Sequence, residues 1–398
     1  MKIRTITTGI SLSSLKEIEK IKQASEFNQQ AKLIIEEQGY EVQTTRIATN
    51  SWEEYLHGLS KSEILNEIKL LEEVCQNLNI SFFSLGYASK PETIALIPDI
   101  IKNTSILYTS SKIGDTPKES LRDGQSPAFG DRTSGINFKN ARESAKVIQR
   151  ISQETEDGYG NFHFCAWANC QSGIPFFPTA YHQGETSFAI GLELCDLVMQ
   201  AFDDADDILD AEEKLKVILD QELSKIEATA RTISHKFGIE YKGIDTSLAP
   251  SLGKKESIAF AYEKIMDGKF GNQGTLAISG MLTRVLKSVS VKTCGYSGLM
   301  LPVCEDVGLA ARANEQTYNI TNLLAYSAVC GCGLDTVPIP GDITIEKITA
   351  ILIDMATLAI KLDKPLSARL FPIPGKKAGE MTAFTSPYLV DCRIFNVE

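Results

Sequence analysis

Three strand-like runs separated by two helical ones open the chain, and this order restricts the fold more than any other feature. Residues 2–10 alternate as a strand does, and residues 11–38 carry helical spacing through Leu15, Ile18, Ile21 and Ala24. Gly39 is placed to end that helix as its C′ residue. Residues 41–48 read as a second strand, and residues 62–78 as an amphipathic helix with Ile64, Leu65, Ile68, Leu71 and Val74 on one face. Residues 80–87 read as a third strand. Strands joined through helices run parallel, because the helix carries the chain back to the end of the sheet where the previous strand began. An α/β fold is therefore expected.

Beyond this start, Gly, Ser, Asp and Pro collect over residues 110–137, the longest irregular stretch; loops of that length commonly carry function or move. Residues 161–167 read as strand, residues 187–237 as mainly helical with a break at 203–207, and residues 240–246 as strand. Helices are predicted over 257–266, 274–288 and 345–362, and strand-like segments over 365–372 and 387–395. No repeat of fixed period and no Gly/Ser linker divides the chain. Residues 1–398 are thus expected to form one large α/β domain of closed or nearly closed architecture with additional helices.

The hydrophobic share of 43% and the length suffice for a full core. A formal charge of −11, with no Lys/Arg block, speaks against a nucleic-acid groove, where cations must cluster on phosphates. No apolar run reaches the ~18 residues of a membrane span. The first residues read as strand and lack the apolar core of a signal peptide. Nine cysteines, an odd number without any Cys-x-x-Cys pair, suit a reducing cytoplasm better than a disulfide framework. The four histidines lie far apart, which disfavours structural zinc.

The densest chemistry lies in Ser327-Ala-Val-Cys-Gly-Cys-Gly-Leu-Asp-Thr-Val-Pro-Ile-Pro-Gly-Asp342. Its glycines permit close backbone approach, and Pro338 and Pro340 stiffen it, as befits a loop that presents a thiol and a carboxylate at fixed positions. Cys330 and Cys332 flank one residue, so in an extended segment both thiols point to the same side. They could be a nucleophile with its neighbour, a thiyl pair, soft metal ligands or small buried apolar residues. Asp335 and Asp342 are either turn caps or carboxylates for a substrate or metal. Glu305 and Asp306 are adjacent carboxylates able to ligate Mg²⁺ or Mn²⁺ or to share a proton. Consecutive side chains diverge, however, so one of the two can instead cap the helix expected from Val307.

His182 ends the stiff loop Gly173-Ile-Pro-Phe-Phe-Pro-Thr-Ala-Tyr-His182 and is a candidate general acid/base, or else a hydrogen-bonded histidine in a packed corner. Arg46 and Arg369 occupy strand-like positions where a guanidinium can clamp a carboxylate or phosphate, or pair at the surface. P-loop, dinucleotide-binding, nucleophile-elbow and HExxH patterns are absent, which removes the commonest nucleotide and hydrolase templates.

Several of these segments together resemble a known family. They are Lys2-Ile-Arg-Thr-Ile-Thr7, Thr45-Arg-Ile-Ala-Thr49, the loop ending at His182, Gly243-Ile-Asp-Thr-Ser-Leu-Ala-Pro250, Gly295-Tyr-Ser-Gly-Leu-Met-Leu-Pro302, the cysteine loop and Lys364-Pro-Leu-Ser-Ala-Arg-Leu-Phe-Pro-Ile-Pro-Gly375. Over nearly the whole chain they are similar to bacterial and archaeal proteins labelled "PFL family protein", after a fold like that of pyruvate formate-lyase. The resemblance implies a glycyl-radical-enzyme-like α/β barrel but no particular reaction. A glycyl radical on Gly295 is not expected. That residue lies far from the C-terminus, Lys292 stands near where an arginine is usual, and the chain is shorter than such enzymes.

The expected function is an enzyme, working without a glycyl radical, on a small polar metabolite bearing a carboxylate, held inside the barrel. Cys330 or Cys332 would be nucleophile or ligand, His182 the acid/base and Asp335 an orienting carboxylate. Arg46, Arg369, Tyr296 and Asp245 would contact the substrate, and Glu305, Asp306 or Asp342 a divalent metal if one is used. The alternative is a non-catalytic metabolite sensor with the same pocket. A homodimer is expected from the frequency of two-fold assemblies.

Overall fold

The parallel β-α-β-α-β start is present in the computed structural model, which describes residues 1–117 and 135–397. It comprises β1 (Lys2–Ile10), α1 (Ile18–Glu37), β2 (Val42–Thr49), the short α2 (Trp52–Tyr55), α3 (Lys61–Asn77) and β3 (Phe83–Ala88). Gly39 takes φ 87°, the left-handed conformation that lets the chain turn from α1 into β2. The chain continues through α4 (Pro91–Ile94), α5 (Ile97–Lys102), β4 (Leu107–Gly114), α6 (Phe138–Glu154), a 3-10 segment (Glu156–His163) and β5 (Phe164–Ala168). Next come β6 (Ser187–Glu193), α7 (Cys195–Asp203), α8 (Ile208–Phe237), β7 (Glu240–Ala249), α9 (Ile258–Ile265) and α10 (Thr275–Ser288). The last elements are α11 (Val307–Asn314), α12 (Ile320–Ser327), β8 (Gly333–Pro340), α13 (Ile345–Lys361) and β9 (Leu366–Ile373).

Among the described residues nine strands form one sheet in the order β7-β6-β1-β2-β3-β4-β5-β9-β8. Strands β1 to β5 are mutually parallel, as are β6 with β7 and β8 with β9. These sets meet antiparallel where β1 pairs β6 and β5 pairs β9. The ladder does not close, which rules out the closed form of the expected closed or nearly closed barrel: β7 and β8 remain its two edges. Pro338 and Pro340 lie in edge strand β8, where a missing backbone donor is tolerated.

Residues 293–303 cross between those edges. They make isolated bridges from Thr293 to Ile244 and from Leu299 to Leu248 on one side, and from Pro302 to Asp335 on the other. Positive φ at Gly295 (65°) and Ser297 (42°) breaks the extended repeat there, so bridges form without a tenth ladder. Gly298 and Gly331 meet backbone to backbone; a Cβ on Gly298 would lie 2.5 Å from the Gly331 Cα. This approach brings the cysteine loop against the crossing segment, with the Gly331 N–H donating to the Leu299 carbonyl at 2.8 Å.

The loop joining β5 to β6 lies on the inner face of the curled sheet. Thr7 and Ser84 donate their hydroxyls to the carbonyls of Pro175 and Ala180 at 2.8 and 2.7 Å, and the His182 N–H donates to the Thr49 carbonyl at 2.9 Å. Every residue of β5 and β6 is consequently buried, as expected for strands covered on both faces. No helix among the described residues is long and apolar enough to cross a membrane.

Several predicted segments change, the cysteine loop among them, since its residues Gly333–Pro340 form β8, and residues 161–163 belong to the 3-10 segment. Residues 187–193 form strand β6, not helix; an apolar run buried all round has no helical face to display, so spacing does not reveal it. Residues 387–395 form no strand, and only Arg393 makes a bridge there, to Met381. Of the long irregular stretch, residues 110–114 belong to β4, while residues 118–134 lie outside the described residues.

Candidate functional site

A cavity of about 360 Å³ opens at the sheet's inner face, walled by all three parallel sets and by the crossing segment. Arg4, Tyr108 and Cys165 each reach it from near the start of their strands, β1, β4 and β5. Arg46 comes from β2, Arg369 from β9 and Asp335 from β8, while the inner loop contributes Phe176 to Thr179. Pro387 and Tyr388 of the C-terminal tail lie at its wall, where Tyr388 stacks on Phe162.

A chain of alternating charges runs along one wall. Arg4 pairs with Glu193 and, at 3.3 Å, with Glu305; Arg369 pairs with Glu305 and, at 2.6 Å, with Asp335. Gln43 closes the far end by donating to Glu193 at 2.7 Å. Burial raises the Glu305 pKa, and the neighbouring Arg369 and Arg4 only partly offset this; burial likewise raises that of Glu193. Burial alone would lower the Arg369 pKa, but Asp335 and Glu305 outweigh it and hold the guanidinium firmly charged. Arg369 is therefore committed to protein carboxylates, with Phe162 lying 4.9 Å beneath it.

Arg46 is held differently. Its guanidinium lies between the rings of Phe82 and Phe177, at 5.1 and 5.2 Å, and its Nε donates to Thr44 at 3.1 Å. Among the described residues its terminal nitrogens have no hydrogen-bond acceptor and it makes no ion pair. The residue is only 7% exposed. Burial, then the nearby Arg4, lowers its pKa to about 9, which leaves it cationic at neutral pH. A buried cation without an ion-pair partner is costly, and the cavity is where an anion can reach it.

The two loop cysteines separate, which corrects the expectation that they share a side. Residues 330–332 form a bend rather than extended chain, so Cys332 turns to the cavity while Cys330 packs into the main core. Cys165, not singled out from the sequence, joins Cys332 at the cavity wall and lies 3.4 Å from the Thr179 hydroxyl. Thr179 also accepts from the Tyr296 hydroxyl at 2.8 Å, and that hydroxyl reaches Ser367 at 2.9 Å. Burial pushes the Cys165 thiol up to about 12 and raises Cys332 and Tyr296 well above their ordinary values. These groups are neutral at physiological pH. Native Cys165 and Cys332 should accordingly alkylate with iodoacetamide at pH 7.5 at least ~100-fold more slowly than in the unfolded chain. Rapid labelling of native Cys332, mapped by peptide mass spectrometry, would restore it as a nucleophile.

Other predicted residues are not brought to the cavity. His182 packs on Gly9 at the opposite ends of β1 and β2, its Nε2 3.1 Å from the Gly184 carbonyl, and burial lowers its pKa. Asp245 is fully buried and accepts from the backbone N–H groups of Tyr296 and Ser297 at 2.8 and 2.9 Å, fixing the turn that aims Tyr296. Asp306 caps α11 through Gly308 and Leu309 and also accepts from Ser257 and Ile258, which occupies all its oxygens. Asp342 is exposed in the turn after β8. Among the described residues no group of three or more His, Cys, Asp or Glu is placed to hold a metal ion, and Glu305, Asp306 and Asp342 are not brought together. Sequence reasoning missed Arg4, although a charge between the buried Ile3 and Ile6 of a strand was a usable sign.

The family described as "Uncharacterised ACR (DUF711)" matches residues 1–386, and the chain belongs to it. A UPF0210 protein of Carboxydothermus hydrogenoformans is 29% identical, covering 96% of this chain and 88% of its own. One of Clostridium botulinum is 26% identical over 96% and 88%, and one of Methanocaldococcus jannaschii 26% over 95% and 87%. The pyruvate formate-lyase label expected from the motifs does not come with this family. Among solved structures, an anaerobic ribonucleotide reductase matches at 8% identity and a TM-score of 0.33, covering 98% of this chain and 76% of its own. A likeness that slight assigns neither fold nor chemistry.

Proposed function

We propose that this member of the DUF711 family binds a small, polar, carboxylate-bearing metabolite in the cavity, with Arg46 as the anion anchor, and acts on it chemically. The observation that carries this reading is the buried Arg46 guanidinium, oriented by two rings and one hydroxyl, with its terminal nitrogens free of protein acceptors among the described residues. A bound carboxylate takes two parallel N–H donors and removes the cost of the lone charge. Glu305, whose pKa burial raises, and the hydroxyls of Tyr296 and Ser367 are the groups available for proton transfer.

A sensor is the second reading, supported by the neutral cavity thiols and by the distance of His182 from the cavity. Calorimetry with propanoate, pyruvate and succinate tests the anchor. Wild type is expected to bind at least one of them, and Arg46→Met to weaken that binding about 30- to 100-fold. Equal affinity in the variant, or no binding at millimolar concentration, would remove the proposal. NMR of the bound probe then separates the readings, since product formation marks an enzyme and an unchanged probe a sensor.

A further inference from the structure

The two charged features of the cavity are out of balance in opposite senses. The wall chain Glu193–Arg4–Glu305–Arg369–Asp335 begins and ends on a carboxylate, so its ion pairs leave one negative charge in surplus. Arg46 makes no ion pair with this chain among the described residues and carries one positive charge, although Glu305 lies near enough to raise its pKa. The Glu193 end is closed by Gln43 and does not line the cavity. The Asp335 end does line it. Only Oδ1 of Asp335 receives a side-chain donor, the Arg369 Nε, and among the described residues Oδ2 receives none. A plain carboxylate would satisfy Arg46 and leave Asp335 facing the ligand with an unused oxygen. A molecule carrying one anionic and one cationic group would satisfy both ends.

We propose that the ligand is a zwitterionic amino carboxylate, its carboxylate on Arg46 and its ammonium group on Asp335 Oδ2. This rests on the reading of Arg46 as anion anchor and narrows the ligand class. An ammonium is the fitting cation here, because its three donors can reach a single carboxylate oxygen and neighbouring hydroxyls without the fork geometry that a guanidinium requires. The apolar part of the ligand would lie among Tyr108, Phe162 and Met300, which also line the cavity.

The test uses matched trios on the intact protein, measured by calorimetry. One trio is alanine, propanoate and ethylamine; a second is 4-aminobutanoate, butanoate and butylamine; a third is phenylalanine, 3-phenylpropanoate and phenethylamine. In at least one trio the amino carboxylate is expected to bind at least tenfold more tightly than both partners. Asp335→Asn is expected to erase that advantage while leaving the affinity of the plain carboxylate within about twofold. Should the variant fail to fold, the wild-type trios still decide the matter. Binding of the plain acid as tightly as the amino acid in every trio overturns the zwitterion and leaves the Arg46 anchor standing. A trio in which only the amine binds overturns both. No binding in any trio likewise overturns both.

Discussion

Arg369→Met is expected to lower folding stability by about 3–5 kcal/mol, because it removes one of the two cations of a buried ion-pair chain, leaving Glu305 with only the longer Arg4 contact and Asp335 with no ion-pair partner. The loss should depend on pH in a defined direction. Glu305 already has its pKa raised above the ordinary 4.5 by burial, with Arg369 the largest opposing influence, so removing Arg369 raises it further. A carboxyl group raised in the folded state contributes stability below its unfolded pKa and loses it as pH rises through its folded pKa. The deficit of the variant should therefore be largest at pH 8 and shrink toward pH 5, where the stranded group takes up a proton. Urea denaturation of wild type and variant at the two pH values measures this. A deficit under 1 kcal/mol, or one that grows on acidification, would mean that the chain of charges does not hold the cavity wall together.

Asp306→Ala should destabilise by about 3–4 kcal/mol, read as a shift in denaturation midpoint. The carboxylate is fully buried and receives four donors: the Ser257 hydroxyl at 2.6 Å, the Ile258 N–H at 2.6 Å, and the Gly308 and Leu309 N–H groups at 2.8 and 2.9 Å. It caps α11 and pins the start of α9 to it. Alanine would leave those donors buried without partners. Asparagine recovers part of the loss, since Oδ1 can still cap α11, but its amide meets the Ile258 N–H donor to donor. EDTA should leave the wild-type midpoint unchanged. A midpoint that EDTA lowers, and that Asp306→Ala makes insensitive to EDTA, would reassign the residue as a metal ligand.

How far the sequence reveals this molecule depends on the range of the interaction concerned. The N-terminal β-α-β-α-β order was legible because α1 and α3 each show a local apolar face and Gly39 a local stop. Strand β6 was not, because burial on both faces removes the alternation that distinguishes a strand. Arg46 and Arg369 could be picked out as cations on strands, yet only tertiary contacts decide that one is spent on Glu305 and Asp335 while the other is not. The stiff inner loop was visible from its prolines and aromatics, but the residues it delivers to the cavity are Phe176 to Thr179, with His182 left at the far end of β1. Cys330 and Cys332 looked equivalent from their spacing; a bend at Gly331, closed against Gly298, sends them to different cores.

The most direct measurement is a crystal structure of the protein with its tightest-binding carboxylate probe. The account predicts both carboxylate oxygens within about 3 Å of the Arg46 terminal nitrogens, between Phe82 and Phe177. A probe seated elsewhere, or one in the cavity whose carboxylate faces Arg4 or Arg369 and leaves Arg46 unpaired, would contradict it.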